Sequence, residues 1–313
     1  MRVELMIEGQ EDVSWPQWVA LAQACEEHGV GTLFRSDHYL SVDGHDERGS
    51  LETWTTLAGL AAVTSRLRLG VLVTPATFRH PSVLAKAVAA VDHISGGRVE
   101  LGLGVGWHEA EHAAFGFAFP PLGERLQILE EQLAVLRGAW ADGPFSFAGE
   151  HYRLGPVDVH PKPVQRPHPP LIIGGGAKPR TVRMAAQFAD EYNTVFATPA
   201  ECAARRAVCE QAWKNAGRDP ATLTFSVMVP WLIGSDAADL AQRAERLAAW
   251  RDSDPATLIE EFGQMGVAGT LAEATERLRA YRDAGVDRIM LQHLLHDDLD
   301  GIALLARLAA DVG

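Results

Sequence analysis

Short apolar runs alternate with longer segments of helical periodicity along the whole chain. This alternation is typical of βαβ units and of a parallel sheet. The short runs predict eight strands, at 3–7, 31–35, 67–73, 99–103, 171–173, 191–196, 223–229 and 286–291. A doubly wound sheet would also accommodate alternating elements, but eight units in one continuous rhythm favour a (β/α)8 TIM barrel.

The longer segments predict helices between and after these strands. They lie at 14–29, 51–64, 81–94, 122–140, 178–189, 198–216, 270–285 and 298–310. Three of them begin with a capping box, in which Ser14, Thr198 or Thr270 is followed three residues later by Gln or Glu. The capping residues therefore support the same division of the chain as the apolar pattern.

Two stretches interrupt the regular alternation. The segment 143–170 is rich in Pro, Gly, His and aromatic residues, and the segment 230–269 is largely helical with a break at Pro255. The chain has 313 residues, whereas a TIM barrel takes about 250. We therefore expect one domain over 1–313, with insertions near 108–170 and 230–269.

Composition and charge exclude several classes of protein. Hydrophobic residues make up 47% of the chain and charged residues 22%, as in a globular protein with a large core. The 28 Lys and Arg against 41 Asp and Glu give a net charge of −13, which argues against a nucleic-acid partner. No apolar run approaches the ~18 residues of a membrane span, and no leader follows Met1, so we expect a cytoplasmic protein without membrane contact.

In a TIM barrel, the residues that perform chemistry lie on the loops after the carboxyl ends of the strands. After the second predicted strand, Asp37 and His38 place an acid and an imidazole side by side. After the third, Thr74 and its apolar neighbours could wall a flat ring. Each loop also has a purely structural interpretation, as a turn capped by Asp37 or made rigid by Pro75.

The fourth predicted strand ends in alternate glycines, Gly102, Gly104 and Gly106, followed by Trp107. Glycine at every second position leaves one face of a strand bare, so that something can approach the backbone closely. The spacing is G-x-G-x-G, whereas dinucleotide-binding folds use G-x-G-x-x-G after the first strand. A Rossmann fold is therefore not indicated.

The next five residues, 108–112, read His-Glu-Ala-Glu-His and match the zinc-protease string H-E-x-x-H. That motif needs both imidazoles on one face of a long helix, with a third ligand elsewhere. Here it directly follows a glycine-rich strand end, and Gly116 soon ends any helix. We therefore predict no metal site.

A glycine turn joins the fifth predicted strand to a helix that carries donor side chains. The residues are Gly174, Gly175, Gly176, Lys178, Arg180 and Thr181. Backbone N–H groups of such a turn, together with a helix N-terminus, form an anion site. We therefore predict a phosphate site, with a flexible strand-to-helix turn as the alternative. Because the chain has a net charge of −13, the positive charges of Lys178 and Arg180 must outweigh its repulsion of a phosphate at this site.

The segment after the eighth predicted strand contains Gln292, His293 and His296, followed by Asp298. These side chains could line the mouth of a site at the carboxyl ends of the strands. A helix cap with histidines at the surface explains them equally well.

Taken in order, these loops resemble the luciferase-like monooxygenase superfamily, and more narrowly its branch of oxidoreductases that depend on coenzyme F420, a deazaflavin. The resemblance covers nearly the whole chain. It rests on the segments 36–38, 73–75, 79–81, 96–107, 120–125, 174–181 and 189–193. It implies a (β/α)8 barrel with long insertions, in agreement with the alternation of apolar runs.

The resemblance also implies where the cofactor lies. Asp37 and His38 would be near the reactive edge of its ring, with His38 as general acid or base and Asp37 orienting His38 or the ring. A cis peptide bond between Val71 and Leu72 would press on the back of the ring. The flanks of the ring would be formed by Thr74, Gly104, Val105, Gly106 and Trp107. The phosphate would be bound by Gly174, Gly175, Gly176, Arg180 and Thr181.

The implied activity is hydride transfer between F420 and a small organic substrate. Two alternatives stay open, namely an FMN-dependent monooxygenase that uses O2 and a non-catalytic flavin-binding protein. Relatives that oxidise sugar phosphates carry a catalytic Glu where this chain has Trp107, so a sugar phosphate is not expected. Relatives commonly form homodimers, and the oligomeric state of this chain stays open.

Overall fold

The computed structural model describes residues 1–45 and 47–313. Strands and helices alternate through these residues, as the apolar pattern predicts. The strands are β1 (Arg2–Ile7), β2 (Thr32–Arg35), β3 (Arg68–Pro75), β4 (Val99–Gly104), β5 (Phe145–Ala148), β6 (Arg153–Val157), β7 (Leu171–Gly174), β8 (Glu191–Val195), β9 (Thr224–Gly234), β10 (Val267–Thr270) and β11 (Arg288–His293).

The helices lie between and after the strands. They are α1 (Trp15–His28), α2 (Thr53–Val63), α3 (Pro81–Ser95), α4 (Glu109–Phe115), α5 (Leu122–Trp140), α6 (Pro179–Phe188), α7 (Pro199–Asn215), α8 (Ala237–Arg251), α9 (Pro255–Met265), α10 (Leu271–Asp283) and α11 (Leu299–Val312). All three predicted capping boxes are present, at the starts of α1, α7 and α10. Among the described residues, no helix is both long and apolar enough to cross a membrane.

Eight strands form a closed parallel barrel. Their order is β1, β2, β3, β4, β7, β8, β9 and β11, and β11 pairs with β1 to complete the circle. Helices flank the strands, so the predicted (β/α)8 fold is confirmed. The carboxyl ends of all eight strands therefore meet at one face of the barrel.

Most of the observed strands extend further towards that face than predicted, and β11, for example, ends at His293 rather than at 291. The third strand extends to Pro75 rather than ending at 73, and the seventh extends to Gly234 rather than ending at 229. The added part of β9 is held by β10, whose residues pair with Trp231 through Gly234. This pairing partner lies far along the chain, so the local apolar pattern did not reveal it.

Both faces of the barrel strands are buried, as expected for parallel strands covered by helices. Inside the barrel lie Met6, Phe34, Leu72, Ile172, Met228 and Met290. Outside it, alternate strand residues such as Leu5, Leu33 and Leu101 pack against the helices in the main core. This two-sided burial explains why the strands read as continuous apolar runs.

The two irregular stretches form additional structure at the carboxyl face and beside it. The first contains an antiparallel hairpin of β5 and β6, whose turn is held by Glu131 of α5 through the backbone N–H groups of residues 150–152. The second contains α8 and α9, which share a separate apolar cluster that includes Leu247 and Phe262.

A charged cluster is buried at the amino ends of the strands. The Arg288 guanidinium lies 2.6 Å from Glu100, 3.1 Å from Glu191 and 3.5 Å from Glu4, and it donates to the Thr32 hydroxyl at 2.8 Å. It is only 1% exposed. Because barrel enzymes carry out their chemistry at the opposite face, we assign this cluster to the stability of the fold.

Candidate active site

A cavity of about 670 Å³ opens at the carboxyl ends of the barrel strands. Pockets that bind cofactors and small substrates usually have a volume of about 300–1,000 Å³. Its wall includes Glu8, Ser36, His38, Leu72, Val73, Gly104, Val105, Gly106, Trp107, Gly174, Gly175, Asn193, Met228, Phe262 and Gln292. The wall is therefore mostly apolar, with a few polar groups from separate strands.

His38 is the imidazole that the fold brings to this wall. It follows the fully buried strand β2, and its side chain is 13% exposed. Its Nδ1 atom lies 2.8 Å from Oε2 of Glu111, and its ring packs edge-on against Trp107 with centroids 5.7 Å apart. His38 is thus held by one ionisable partner and one aromatic side chain.

The partner, Glu111, comes from the second half of the His-Glu-Ala-Glu-His string. Its side chain is fully buried, and its Oε1 atom accepts hydrogen bonds from the backbone N–H groups of Tyr39 and, at 3.1 Å, Leu40. The carboxylate therefore closes the turn after β2 and contacts His38 at the same time. Sequence reasoning missed this role, although the string itself was the signal that drew attention to the segment.

The string does not have the zinc-protease geometry. The Nδ1 atom of His112 lies 2.7 Å from the backbone oxygen of His108, and its Nε2 atom lies 2.7 Å from the Thr77 hydroxyl, so both nitrogens have partners within the chain. A different trio, His38, His108 and Glu111, places one ligand atom each within 4.8 Å of one another. Within this trio only His38 and Glu111 form a hydrogen bond, since His108 Nδ1 lies 4.0 Å from the Glu111 carboxylate.

The surroundings of His38 favour its charged form. Burial lowers the pKa of His38, but the hydrogen bond to Glu111 and the charges of Glu111, Glu8 and Asp37 raise it, and the net pKa lies above 6.5. Burial raises the pKa of Glu111, and the hydrogen bonds that this carboxylate accepts outweigh it, so its pKa lies below the ordinary value. For His108 burial dominates and lowers the pKa.

Asp37 lies behind the cavity wall and does not contact His38 through a hydrogen bond. Arg79 donates two hydrogen bonds to its carboxylate, at 2.5 and 3.1 Å, and Thr74 donates a third at 2.8 Å. Asp37 is 1% exposed and Thr74 is fully buried. The carboxylate in contact with His38 is therefore that of Glu111 and not that of Asp37, and the Thr74 hydroxyl donates to Asp37.

The non-prolyl cis peptide bond joins Leu72 to Val73. The prediction of Val71–Leu72 was wrong by one residue. The bulge of β3 between Val71 and Thr74 places Leu72 and Val73 in the cavity wall, whereas Val71 faces the outer core. A shift of one residue along a strand exchanges its two faces. Because Val71, Leu72 and Val73 are all apolar, the sequence does not show which of them faces the cavity.

The alternate glycines of β4 accommodate this bulge. A Cβ atom on Gly102 would lie 2.3 Å from the backbone oxygen of Val71, and one on Gly104 would lie 2.7 Å from the Val73 side chain. The sequence predicted that something would approach the backbone closely at these glycines. In the structure it is the neighbouring strand β3 that does so. Gly104 nevertheless lines the cavity, as do Val105, Gly106 and Trp107.

The glycine turn after β7 reaches the cavity with Gly174 and Gly175. The remaining predicted phosphate residues lie beyond its wall. Arg180 donates to the backbone oxygen of Gly123 at 3.1 Å, and the Thr181 hydroxyl donates to the backbone oxygen of Lys178 at 2.9 Å. The turn and the start of α6 are thus adjacent to the cavity, with Gly176 and Lys178 exposed to solvent.

Several polar residues of the wall were not predicted. Glu8 directly follows β1, and its two oxygens accept hydrogen bonds from the side-chain amides of Gln10, at 2.9 Å, and Gln292, at 2.5 Å. Asn193 in β8 donates to the Ser226 hydroxyl at 2.9 Å. The same rule that selected His38, a polar residue at a strand end, applies to Glu8 and would have found it.

Near the end of β11, Gln292 is the predicted candidate that contributes to the site, and it lies within the strand. Gln292 lines the cavity, whereas His293 and His296 are buried and are not part of its wall. Burial lowers the pKa of each of these two histidines to about 3. The predicted surface position of these histidines is therefore wrong. The predicted helix cap is confirmed, because the Asp298 side chain accepts a hydrogen bond from Gly301 N–H at the start of α11.

Comparison with known proteins agrees with this geometry. The family model described as "Luciferase-like monooxygenase" matches residues 3–288. The uncharacterized protein Rv0953c of Mycobacterium tuberculosis is 31% identical over 250 residues, which cover 74% of this chain and 82% of the relative. The pyrimidine monooxygenase RutA of Stutzerimonas stutzeri is 32% identical over 273 residues, which cover 83% of this chain and 72% of the relative.

A similar fold occurs in a solved F420-dependent secondary alcohol dehydrogenase, with a TM-score of 0.84 and 20% sequence identity over 100% of both chains. At that identity the likeness concerns the fold. The family match spans the barrel from Val3 of β1 to the first residue of β11, so it includes the six barrel strands between them in full. The chain therefore belongs to the luciferase-like monooxygenase family.

Proposed function

We propose that this chain is an F420-dependent oxidoreductase that transfers a hydride between the deazaflavin and a small organic substrate. The observation that carries the proposal is the position of His38, a proton donor and acceptor in the wall of a large, mostly apolar cavity. Adding a hydride to a substrate double bond requires one proton, and removing a hydride releases one. His38 would exchange that proton.

The residues of the cavity fit a planar cofactor. Gly104 and Gly106 line the cavity together with Leu72 and Val73, and Trp107 is 64% exposed. These groups would hold the two faces and one edge of a ring system. When bound, the deazaflavin supplies hydride chemistry through a carbon at the position where a flavin has a nitrogen, and it does not activate O2 usefully.

The apolar wall contributes by excluding water from the reacting atoms. Leu72, Val73, Met228 and Phe262 surround the interior of the cavity. Removing water strengthens the interaction between charged groups and reduces competing proton exchange. The same wall favours a substrate that is small and largely nonpolar.

The phosphate of the cofactor would lie at the glycine turn and the start of α6. Replacing Arg180 with Glu should weaken cofactor binding about tenfold, and more at low salt, because the repulsion from an acidic chain is then less screened. The measurement is a fluorescence titration at two salt concentrations. Arg183→Glu makes the same charge change at an exposed position of α6 and should have a smaller effect. Equal effects of the two changes would place the phosphate elsewhere.

The second candidate function is an FMN-dependent monooxygenase. It is favoured by the relative RutA, which is named a pyrimidine monooxygenase and is similar over 83% of this chain. The same cavity would hold the isoalloxazine ring of FMN. The chemistry differs because reduced FMN reacts with O2, whereas a deazaflavin passes hydride.

One titration distinguishes these functions. The purified chain is titrated with F420 and, separately, with FMN, and binding is followed by absorbance and fluorescence. We expect F420 to bind at micromolar concentration and FMN to bind more weakly. Tight binding of FMN with no binding of F420 would overturn the proposal and support the monooxygenase. Binding without turnover of any alcohol, ketone or other small organic substrate would point to a carrier protein.

A further inference from the structure

The turn after β2 and the short helix α4 bring one carboxylate against the imidazole of His38. Glu111 is fully buried, and its Oε2 atom lies 2.8 Å from His38 Nδ1. Among the described residues, none forms a hydrogen bond with Nε2 of His38, and the His38 side chain lines the cavity. The two ring nitrogens therefore have different surroundings.

Glu111 is itself fixed in place. Its other oxygen, Oε1, accepts hydrogen bonds from two successive backbone N–H groups, those of Tyr39 and Leu40. These bonds hold the plane of the carboxylate. Burial raises the pKa of Glu111, but the hydrogen bond and charge of His38, together with the two backbone bonds, keep it below the ordinary value. An ionised carboxylate only accepts hydrogen bonds, so the hydrogen between Glu111 and His38 belongs to Nδ1.

We infer that Glu111 is a positioning residue that keeps the proton of His38 on Nδ1 and leaves Nε2 as the nitrogen that exchanges a proton with the substrate. This inference rests on the proposed function of His38. In the reducing direction, Nε2–H gives its proton to the substrate atom that receives the electron pair of the broken double bond. His38 then regains a proton from water. In the oxidising direction, neutral Nε2 accepts the proton.

The other charged groups near His38 are engaged elsewhere. Glu8 accepts hydrogen bonds from two Gln side chains, and Asp37 is paired with Arg79. His108 is neutral near pH 7, because burial lowers its pKa, and its ring centroid lies 6.1 Å from that of His38. Glu111 is the charged group in direct contact with the imidazole, so it controls which nitrogen carries the hydrogen.

Replacing Glu111 with Gln tests the inference. The Gln oxygen still accepts from Tyr39 and Leu40, but its NH2 group now donates to Nδ1, which forces the hydrogen of neutral His38 onto Nε2. Without the carboxylate, burial lowers the pKa of His38. We expect kcat/KM to fall about 10- to 100-fold, as for other carboxylates that orient a histidine. The limb of the pH–rate profile that reports His38 should move to lower pH in either reaction direction.

The first readout uses the chain without cofactor. Nitrogen NMR of the histidine rings, assigned with His38→Asn, reports the tautomer and pKa of His38 in both the native chain and Glu111→Gln. Glu109→Gln is the matched control, because Glu109 is exposed on the same short helix. It should change neither the spectrum nor the pH–rate profile.

The outcomes separate the two proposals. An unchanged tautomer and pKa in Glu111→Gln would overturn the positioning role, whether or not the chain turns over F420. A changed tautomer with no F420-linked turnover in the native chain would support the role of Glu111 and count against the proposed function. If Glu111→Gln does not fold, Glu111→Asp keeps the charge, and it should retain the native tautomer while lowering kcat/KM.

Discussion

Replacing His38 with Asn should lower kcat by about 10²- to 10⁴-fold, which is the usual contribution of general acid–base catalysis. The turn after β2 keeps its closing hydrogen bonds, because these come from the backbone N–H groups of Tyr39 and Leu40. The replacement removes the imidazole, with its Nε2 atom, from a position that lines the cavity. Cofactor affinity should therefore change by less than about threefold. The measurements are steady-state turnover with F420 and a fluorescence titration of the cofactor.

Two comparisons make this prediction specific. His28→Asn makes the same replacement at an exposed histidine at the end of α1, and its turnover should equal that of the native chain. If His38→Asn keeps more than a tenth of native turnover, the proton comes from another group. Loss of cofactor binding in His38→Asn would instead assign His38 to the binding of the ring.

Replacing Arg288 with Met should destabilise the fold by about 3–5 kcal/mol, the usual effect of removing one partner of a buried ion pair. Arg288 is the cation shared by Glu4, Glu100 and Glu191. Arg68 would still pair with Glu100, at 2.6 Å, but Glu4 and Glu191 would lose their cation. Burial already raises the pKa of both carboxyl groups. Urea unfolding at constant pH measures the change.

The loss of stability in Arg288→Met should depend on pH. Without Arg288, burial raises the pKa of Glu4 and Glu191 further above the values of the unfolded chain, so folding favours their protonated forms. The loss of stability should therefore be largest at neutral pH and decrease as the pH falls towards the pKa values of these groups. Arg279→Met removes an exposed pair with Glu276 and should cost less than about 1 kcal/mol. An equal effect of the two changes would contradict the role of the buried cluster.

The fold could be predicted from the sequence because the strands and helices of a parallel barrel each have a recognisable local sequence pattern. Each strand is buried on both faces and reads as an apolar run, and helix ends carry caps such as Thr198 and Thr270. The extension of β9 was missed because its partner, β10, lies more than thirty residues further along the chain. Pairing between distant segments does not change the periodicity of apolar residues in either segment, so the sequence pattern does not reveal it.

The candidate site could be predicted in part. His38, Gly104 and Trp107 line the cavity because each lies at a strand end, which the alternation alone locates. The partner of His38 could not be predicted this way, since Glu111 is separated from it by more than seventy residues and lies in a string that resembles a zinc motif. The predicted position of the cis bond was wrong by one residue, because Val71, Leu72 and Val73 are all apolar and the pattern does not distinguish them.

The sequence by itself determined the eight-unit barrel, the face at which chemistry is expected and the family, because these follow from local periodicity and from short segments in a set order. Only the tertiary structure decided that Asp37 binds Arg79, that Glu111 contacts His38 and that Arg288 pairs with three distant acids. The physical reason is that a carboxylate can pair with any cation or imidazole within reach. Which of these is within reach depends on distances that exist only after the strands have closed into a barrel.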